Sequence, residues 1–401
     1  MSDFSQILKT SISKTKHASL QHATAINLSS ENMLSVPRSV ILNGIVSYGG
    51  STGAGLNITQ KAFGEYYERN HFFTSVPITS KMKLSEIQPE SYQKKLHTLC
   101  NDNYSDEFRD HRFAFTTVYN LFDESPSDYF FNAISLHSIK ADSAFLNVTD
   151  SCACASHITK ELSLYQSLIE FLERQSLIGS WISMRYRYTI NPLVLKELSS
   201  YTCLVDNILE NGELYIFENG NELPGYNIIM FYFAHSSKDA VQYSVGSKSA
   251  ASLSDALSSA FEELYQCYTF LYSAVFKPTN LEHKPGAGYH MAFTDYNHQN
   301  TKAIIPYLNK LEPFKINTIT DINALPQFTF QDMLQSLKIL TPNIYFYHFY
   351  EKALELHFTK IVSPDFFAHM SLNKALNLNN LYAKTLEISE ENAYLEKLPF
   401  P

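Results

Sequence analysis

Hydrophobic residues gather in short stretches that end at turn-forming residues, and this pattern predicts β-strands. The five predicted strands are residues 113–119, 129–136, 226–233, 343–349 and 356–362. Pro224-Gly225 forms a turn before the third strand, and the last two strands alternate enough to pair as a hairpin. Other apolar segments carry charged residues at helical spacing. Because strands and helices do not alternate strictly, the pattern predicts an α+β (mixed α/β) fold.

Three of the helical segments contain an acidic pair in which a Glu and a second Glu or Gln stand three residues apart. In chain order the pairs are Glu65/Glu68, Glu170/Glu173 and Glu263/Gln266. This spacing places both side chains on one helix face, and the neighbouring residues are largely apolar. A carboxylate removed from water without a partner costs several kcal/mol, and gathered carboxylates repel one another unless cations neutralise them. One pair alone is more typical of a solvated face or an ion pair, but three pairs favour a metal–phosphate site.

A segment of small residues precedes each acidic pair by about sixteen positions, an offset of the kind that internal repeats produce. The three segments are residues 48–55, 150–156 and 246–252, and we expect them to form loops. Small residues let a backbone approach a ligand closely, and helix N-termini favour anions. Each segment alone is typical of ordinary turns and caps, but the repeated offset favours ligand binding.

Composition narrows the class of protein. The chain has 401 residues, of which 45% are hydrophobic and 14% aromatic, enough for a substantial core. A net charge of −9 argues against a general nucleic-acid binder. No apolar run reaches the length of a membrane span, and the start lacks the basic and apolar parts of a signal peptide. We therefore expect a cytoplasmic protein without membrane or nucleic-acid partners.

Two further features concern organisation. Residues 1–45 are polar and Ser-rich and are predicted to be an irregular lead-in. The five cysteines are an odd, scattered set, unlike a disulfide framework. Cys152-Ala153-Cys154 has no matching ligand pair elsewhere, so small residues in a tight loop are a better interpretation than a zinc site.

The acidic motifs resemble the ATP-binding motifs of the YcaO family. The resemblance extends to Cys152-x-Cys154, to residues 359–367 and to the ending Pro399-Phe400-Pro401. The last two are the more specific, because no general demand of folding calls for those residues there. The resemblance implies a YcaO-type fold with repeated small-loop/helix units around a central ATP–Mg²⁺ site. The corresponding domain would span residues 46–385, followed by a tail over residues 386–401.

By this resemblance the chain is an ATP-dependent cyclodehydratase. In the family, Cys, Ser or Thr side chains of a precursor peptide attack the preceding backbone carbonyl. ATP then phosphorylates the resulting oxygen, and phosphate leaves to give a thiazoline or oxazoline. ATP and Mg²⁺ are the implied cofactors. The implied partners are a leader-peptide-binding subunit and a flavin-dependent dehydrogenase subunit, since nothing in this chain resembles a flavin site. Backbone thioamide formation and a non-catalytic nucleotide-binding scaffold are the alternatives.

The resemblance also implies roles for individual residues. The Mg²⁺ ligands, direct or through water, would be Glu65, Glu68, Glu170, Glu173 and Glu263, and the nucleotide contacts would be Arg69, Ser151 and Gln266. A turn or cap role for Ser151 is equally open. Pro399 and Pro401 belong to a tail that would enter the active site, where the terminal carboxylate of Pro401 would help to move protons. A restrained, extended tail is the other interpretation.

This chain departs from the family pattern at two places. Lys61 stands where the family often has Ser, and Cys267-Tyr268 stand where an Arg commonly follows the third motif. The resemblance therefore does not imply nucleotide contacts from those positions.

Overall fold

The structure is a computed structural model that describes residues 20–26, 37–44, 47–53, 58–101, 105–146, 148–198, 201–275, 294–370 and 376–400. Its strands are β1 (Leu20–Ile26), β2 (Arg38–Gly44), β3 (Tyr48–Gly53), β4 (Ser80–Lys83), β5 (Arg112–Asn120), β6 (Pro126–Phe130), β7 (Cys154–His157), β8 (Tyr188–Ile190), β9 (Gly212–Glu218), β10 (Tyr226–Ala234), β11 (Tyr243–Ala250), β12 (Tyr345–Glu351) and β13 (Leu356–Val362).

The α-helices are α1 (Ile58–Thr74), α2 (Glu90–His97), α3 (Asp106–Asp110), α4 (Phe131–Ile134), α5 (Lys140–Ser143), α6 (Lys160–Ser183), α7 (Leu195–Leu198), α8 (Thr202–Asn211), α9 (Leu253–Val275), α10 (Ile319–Asn323), α11 (Phe330–Leu340) and α12 (Leu381–Thr385). Short 3₁₀ turns occupy Leu84–Glu86, Pro192–Val194, Gln299–Ile304 and Pro306–Lys310. No helix in these described segments is both long enough and apolar enough to cross a membrane.

The described strands form three sheets in which neighbouring strands are antiparallel. One sheet has the order β1-β2-β3 and a second has the order β11-β10-β9-β8. The third has the order β4-β5-β12-β13-β7, with β6 paired to β5. The α+β prediction is confirmed.

The predicted strands correspond well to the observed ones, with one exception. Residues 113–119 lie in β5 and residues 226–233 in β10, and β12 pairs with β13 as the predicted hairpin. The prediction for residues 129–136 is half wrong, because β6 ends at Phe130 and helix α4 follows. Residues 131–134 are all buried, so the sequence has no alternation between buried and exposed positions here. Without that alternation a strand cannot be distinguished from a helical turn.

The predicted irregular lead-in over residues 1–45 is wrong where β1 and β2 form. Most of its remaining residues lie outside the described residues. Strand β2 pairs with β3, and its alternate residues Val40 and Leu42 are buried beside helix α1. The sequence signal was a single run of three apolar residues, 40–42, which is too short to predict a strand. The predicted domain limits stay a prediction.

Helix α6 has a central position. It packs on β13 and β7 of one sheet and on β11 and β10 of another. Its residues Leu168 and Leu172 join one apolar core and Leu177 and Trp181 join a second, and all four are fully buried. Burial of each such side chain contributes roughly 1.5–3 kcal/mol. Because apolar residues cover several faces of α6, the acidic pair on this helix is carried into the interior.

Candidate active site

Three helices carry the acidic pairs, and the fold brings their charges together. Glu65 and Glu68 lie on α1, Glu170 and Glu173 on α6, and Glu263 on α9. Glu68 is close enough to Glu65 and Glu170 for their charges to oppose its ionisation. Glu263 is opposed by Glu173 in the same way. The sequence-predicted carboxylates therefore share one region of the molecule.

The small-residue segments support this convergence, although not as the predicted loops. Residues 48–53 form β3, residues 154–156 belong to β7, and residues 246–250 belong to β11. Residues 54 and 55 of the first segment lie outside the described residues. The loop prediction is therefore wrong for most of these positions. Gly and Ser are typical of turns, but here they are needed for close contact between a strand and the following helix.

The first and third repeats have matching geometry. A Cβ added to Gly49 would lie 2.3 Å from the Ala62 carbonyl oxygen, and one added to Gly246 would lie 2.2 Å from that of Ala260. Only a glycine allows β3 and β11 to lie so close to their helices. In both repeats the next residue then donates its backbone N–H to a helix carboxylate. Gly50 binds Glu65 Oε2 at 2.8 Å and Ser247 binds Glu263 Oε2 at 3.1 Å.

Cationic side chains lie among the carboxylates. Arg69 is 3.5 Å from Glu65 and 3.9 Å from Glu68. Arg174 is 3.7 Å from Glu170 and 3.5 Å from Glu173, and Lys248 Nζ is 3.2 Å from Glu173 Oε2. Sequence reasoning placed Arg69 at the site but did not single out Lys248. The signal available for Lys248 was a lone cation inside the third small-residue segment.

Both oxygens of the Glu173 carboxylate are buried without a hydrogen bond from the described residues. The residue is 1% exposed. Its contacts with Arg174 and Lys248 are ion pairs without hydrogen-bond geometry. A buried polar group in this state costs about 1–3 kcal/mol, so folding alone does not satisfy Glu173.

Ionisation of three carboxyl groups in the cluster is disfavoured. Burial raises the pKa of Glu68 to about 8 and the pKa of Glu263 to about 7, and neighbouring carboxylates add to both shifts. Burial raises the pKa of Glu170 as well. Conversely, the Glu173 carboxylate raises the pKa of Lys248. The cluster therefore favours further positive charge.

The donor set fits a magnesium–nucleotide ligand. Mg²⁺ prefers oxygen ligands and commonly shares its coordination between one or two carboxylates and phosphate oxygens. In the described segments no three acidic, His or Cys side chains already form a metal-binding group. The site therefore offers separate carboxylates to a metal–phosphate ligand rather than a complete metal cage. Cys152 and Cys154 are free thiols.

The two other predicted nucleotide-binding residues lie at the edges of this cluster. Gln266 is exposed on α9, and its Nε2 lies 4.0 Å from an added Cβ on Gly50. This short distance shows that the third repeat lies beside the first. Ser151 lies in the turn before β7, where its carbonyl accepts the Cys154 N–H at 3.3 Å. This contact is a turn interaction of the main chain. The nucleotide contact of the Ser151 hydroxyl stays a prediction.

The C-terminal segment reaches the cluster through Arg174. The guanidinium carbon of Arg174 lies 5.3 Å from the centre of the buried Phe400 ring. The Tyr243 hydroxyl donates to the Pro399 carbonyl, and Trp181 Nε1 donates to the Glu396 carbonyl at 2.8 Å. Pro399 is thus held beside the site. Pro401 lies outside the described residues, so its role stays a prediction.

A cavity adjoins the ion-pair cluster on the β7 side. Its volume is about 30 Å³, room for roughly one water molecule. Polar side chains in its wall include Asp150, Cys152, Arg174, Lys360 and Ser363, and the remaining wall is largely apolar. Arg174 faces both the cavity and the acidic pairs, so the two regions are continuous.

The strand–helix units present carboxylates and cations to one region, an arrangement that suits a protein binding a metal ion together with a nucleotide. Residues 59–366 match the family model described as a YcaO cyclodehydratase that binds ATP and Mg²⁺. The chain therefore belongs to the YcaO family. The predicted family, ATP and Mg²⁺ as cofactors and the ATP-dependent cyclodehydratase class are confirmed.

Relatives with narrower names support the same assignment. The chain is 27% identical to the microcin B17-processing protein McbD of Escherichia coli over 370 residues, which cover 88% of this chain and 89% of McbD. A chain of the E. coli microcin synthetase McbBCD complex matches with a TM-score of 0.83 and 25% identity, covering 97% of this chain and 99% of that one. The same complex with pro-MccB17 bound matches with a TM-score of 0.80 and 23% identity, covering 95% and 96%. The resemblance to an azole-forming synthetase subunit is therefore confirmed along nearly the whole chain.

Proposed function

We propose that this chain phosphorylates the backbone amide oxygen of a ribosomal precursor peptide, so that Cys, Ser or Thr residues close to thiazolines or oxazolines. The observation that carries the proposal is Glu173, a buried carboxylate without hydrogen bonds between Arg174 and Lys248. An amide oxygen leaves poorly, and phosphorylation converts it into a phosphate that leaves well. A site for this reaction must neutralise phosphate charge and fix its position.

The chain's own residues divide these tasks. Glu65, Glu68, Glu170, Glu173 and Glu263 would hold Mg²⁺ directly or through water, and bound Mg²⁺ would neutralise phosphate charge. Arg69 and Lys248 have ion-pair partners that the metal would take over, which leaves their cationic groups available to phosphate oxygens. Gln266 would orient the nucleotide from α9. The buried segment around Pro399 would place the chain end near Arg174.

The partners belong to the same proposal. In E. coli the related chain is part of the McbBCD complex, which has been determined with pro-MccB17 bound. We infer that this chain also works with a leader-peptide-binding subunit and a flavin-dependent dehydrogenase subunit on a precursor peptide. A reaction that consumes ATP fits the cytosolic location predicted from the sequence.

The test is mass spectrometry of the cognate precursor peptide after incubation with this protein, its partner subunits and Mg-ATP. The expected result is ATP-dependent loss of one water per ring, abolished by Glu173→Gln. The matched control is Glu218→Gln, which changes a buried carboxylate on β9 that lies outside the acidic cluster. An unchanged peptide with nucleotide and partners bound would support a scaffold instead. A gain of sulfur would support thioamide formation.

A further inference from the structure

Lys360 is a buried cation that the proposed chemistry does not use. It lies on β13, within the run of residues 359–367 that resembles the family, and is 2% exposed. Its ammonium group donates to the Asp150 carbonyl at 2.6 Å and lies 3.5 Å from the Ile134 carbonyl. Within the described residues its hydrogen-bond acceptors are thus main-chain carbonyls, whereas buried lysines are ordinarily paired with carboxylates.

Stability alone does not explain a charge at this position. Removal of an ammonium from water costs several kcal/mol, and two carbonyl dipoles offset only part of that cost. The attraction between Lys360 and Glu68 adds a longer-range contribution. An apolar side chain of similar length would fill the same space without any desolvation of charge. The charge therefore indicates a role at the neighbouring site.

The Lys360 ammonium holds a turn that borders the site. Asp150, whose carbonyl it binds, accepts the Cys152 N–H at 3.0 Å and the Met370 N–H at 3.2 Å through its carboxylate. Lys360, Asp150 and Cys152 line the same cavity wall as Arg174. The position of the Asp150–Cys152 turn thus determines the shape of the cavity wall next to the acidic cluster.

The same turn leads into β7, which is tied to both of the doubly acidic helices. Ser156 Oγ donates to the Gly64 carbonyl of α1 at 2.8 Å, directly before Glu65. Ser167 Oγ of α6 donates to the Ala153 carbonyl at 2.6 Å. A displacement of the turn would therefore reach the helices that carry the first and second acidic pairs.

We propose that Lys360 is a positioning residue that holds the Asp150–Cys152 turn, through the Asp150 carbonyl, at the wall of the nucleotide site. The inference rests on the proposed function, because the nucleotide is the cofactor of that reaction. Loss of the ammonium releases the turn, weakens nucleotide binding and leaves the fold intact. Cys152 lies in the turn as a half-buried free thiol and therefore reports the position of the turn.

The experiment compares wild type with Lys360→Met in the full chain with its partner subunits. KM for ATP is expected to rise on the order of tenfold with a smaller change in kcat, as for a displaced positioning group. Iodoacetamide alkylation of Cys152, mapped by peptide mass spectrometry, should accelerate, while the exposed Cys203 reacts at an unchanged rate. The unfolding temperature should stay the same or increase.

Lys95→Met is the matched control. Lys95 binds Asp365 at 2.6 Å, so it contacts the same run of residues without touching the turn. Its removal should leave Cys152 alkylation and KM for ATP unchanged. If Lys360→Met does not fold, Lys360→Gln retains an N–H donor without the charge and allows the same measurements.

An unchanged KM and an unchanged Cys152 alkylation rate in folded Lys360→Met would overturn the proposal. A lower unfolding temperature with an unchanged KM would also overturn it, since that result describes a purely structural residue. Failure of the proposed function is a separate result, because wild type would then convert no peptide at all. Cys152 alkylation would still show whether Lys360 holds the turn.

Discussion

Two buried glutamates, one on α6 and one on β9, have similar burial and different surroundings. Glu173 and Glu218 are 1% and 0% exposed, and each lies beside an arginine, at 3.5 Å and 3.2 Å. Glu218 Oε1 accepts two backbone N–H groups, at 3.1 Å and 3.2 Å. Glu173 accepts none from the described residues. Within the described residues, folding therefore gives the Glu218 carboxylate two backbone hydrogen bonds through Oε1 and gives the Glu173 carboxylate none.

The difference separates structural from functional burial of charge. Buried polar groups are nearly always hydrogen-bonded in folded proteins, and exceptions gather at functional sites. Glu218 lies next to a turn whose amides it binds through Oε1, while Oε2 forms an ion pair with Arg187, so its contacts have a structural role. The ion-pair partners of Glu173 are Arg174 and Lys248, and a metal or a phosphate would rearrange these contacts. Substitutions at the two residues should therefore affect different properties.

The largest effect is expected from Glu173→Gln. Removal of this charge should lower kcat/KM for ATP-dependent peptide conversion by about a hundredfold or more, as for loss of a preorganised charge in an active site. The free energy of unfolding should change less than in Glu218→Gln, because the lost ion pairs with Arg174 and Lys248 are offset by weaker repulsion from Glu170 and Glu263. Steady-state kinetics and denaturant unfolding measure the two effects. Retention of full turnover would show that Glu173 is no part of the site.

Glu218→Gln should have the opposite profile. It breaks a buried ion pair with Arg187, which typically costs about 3 kcal/mol of unfolding free energy. Below the unfolding temperature, KM for ATP should stay at the wild-type value. Urea titrations and kinetics at low temperature check both points. A large loss of turnover in the folded variant would contradict the division between the two residues.

Sequence and resemblance were sufficient to predict the acidic residues of the candidate site. The three-residue spacing is local, so the side chains of each pair lie on one helix face wherever the helix packs. The strands β5, β10 and the β12–β13 hairpin were predictable for the same reason. The acidic pairs and these strands depend on residues that are close in the sequence, so local periodicity is sufficient to predict them.

The small-residue segments and the lysines depend on distant contacts instead. Gly246 is typical of a loop by composition, yet its lack of a side chain is required by a helix that crosses β11. Lys248 and Lys360 contact residues far away in the sequence, Glu173 and Asp150. No local pattern encodes such partners, so only the folded chain shows them.

An intermediate effect is expected from Gly246→Ala. The added Cβ would lie 2.2 Å from the Ala260 carbonyl oxygen, so β11 and α9 must separate, which should cost about 2 kcal/mol. Turnover should also fall, because the Ser247 N–H would no longer hold Glu263. Gly50→Ala is the control, since its nearest neighbour would be 3.7 Å away. Equal unfolding free energies for the two variants would refute the close-contact explanation.

The smallest effect is expected on the pH dependence of stability, from a buried histidine that is neutral in the folded protein. His71 is 4% exposed, stacks on Phe358 with ring centres 4.3 Å apart and hydrogen-bonds the Tyr347 hydroxyl at 3.0 Å. Burial lowers the pKa of His71 to about 3, against 6.5 for the free side chain. Below pH 6.5 the unfolded chain therefore binds a proton that the folded chain excludes.

The resulting loss of stability has a defined sign and pH window. The stability is fully present above pH 6.5 and decreases as the pH falls toward the folded-state pKa, by about 1.4 kcal/mol per pH unit from this one residue. His71→Phe should remove that contribution, so its unfolding free energy should fall less steeply between pH 6 and pH 5, by about that amount. Urea unfolding at several pH values measures both slopes. Parallel pH profiles would mean that the folded protein accepts a proton at His71 and that burial does not hold this side chain in its neutral form.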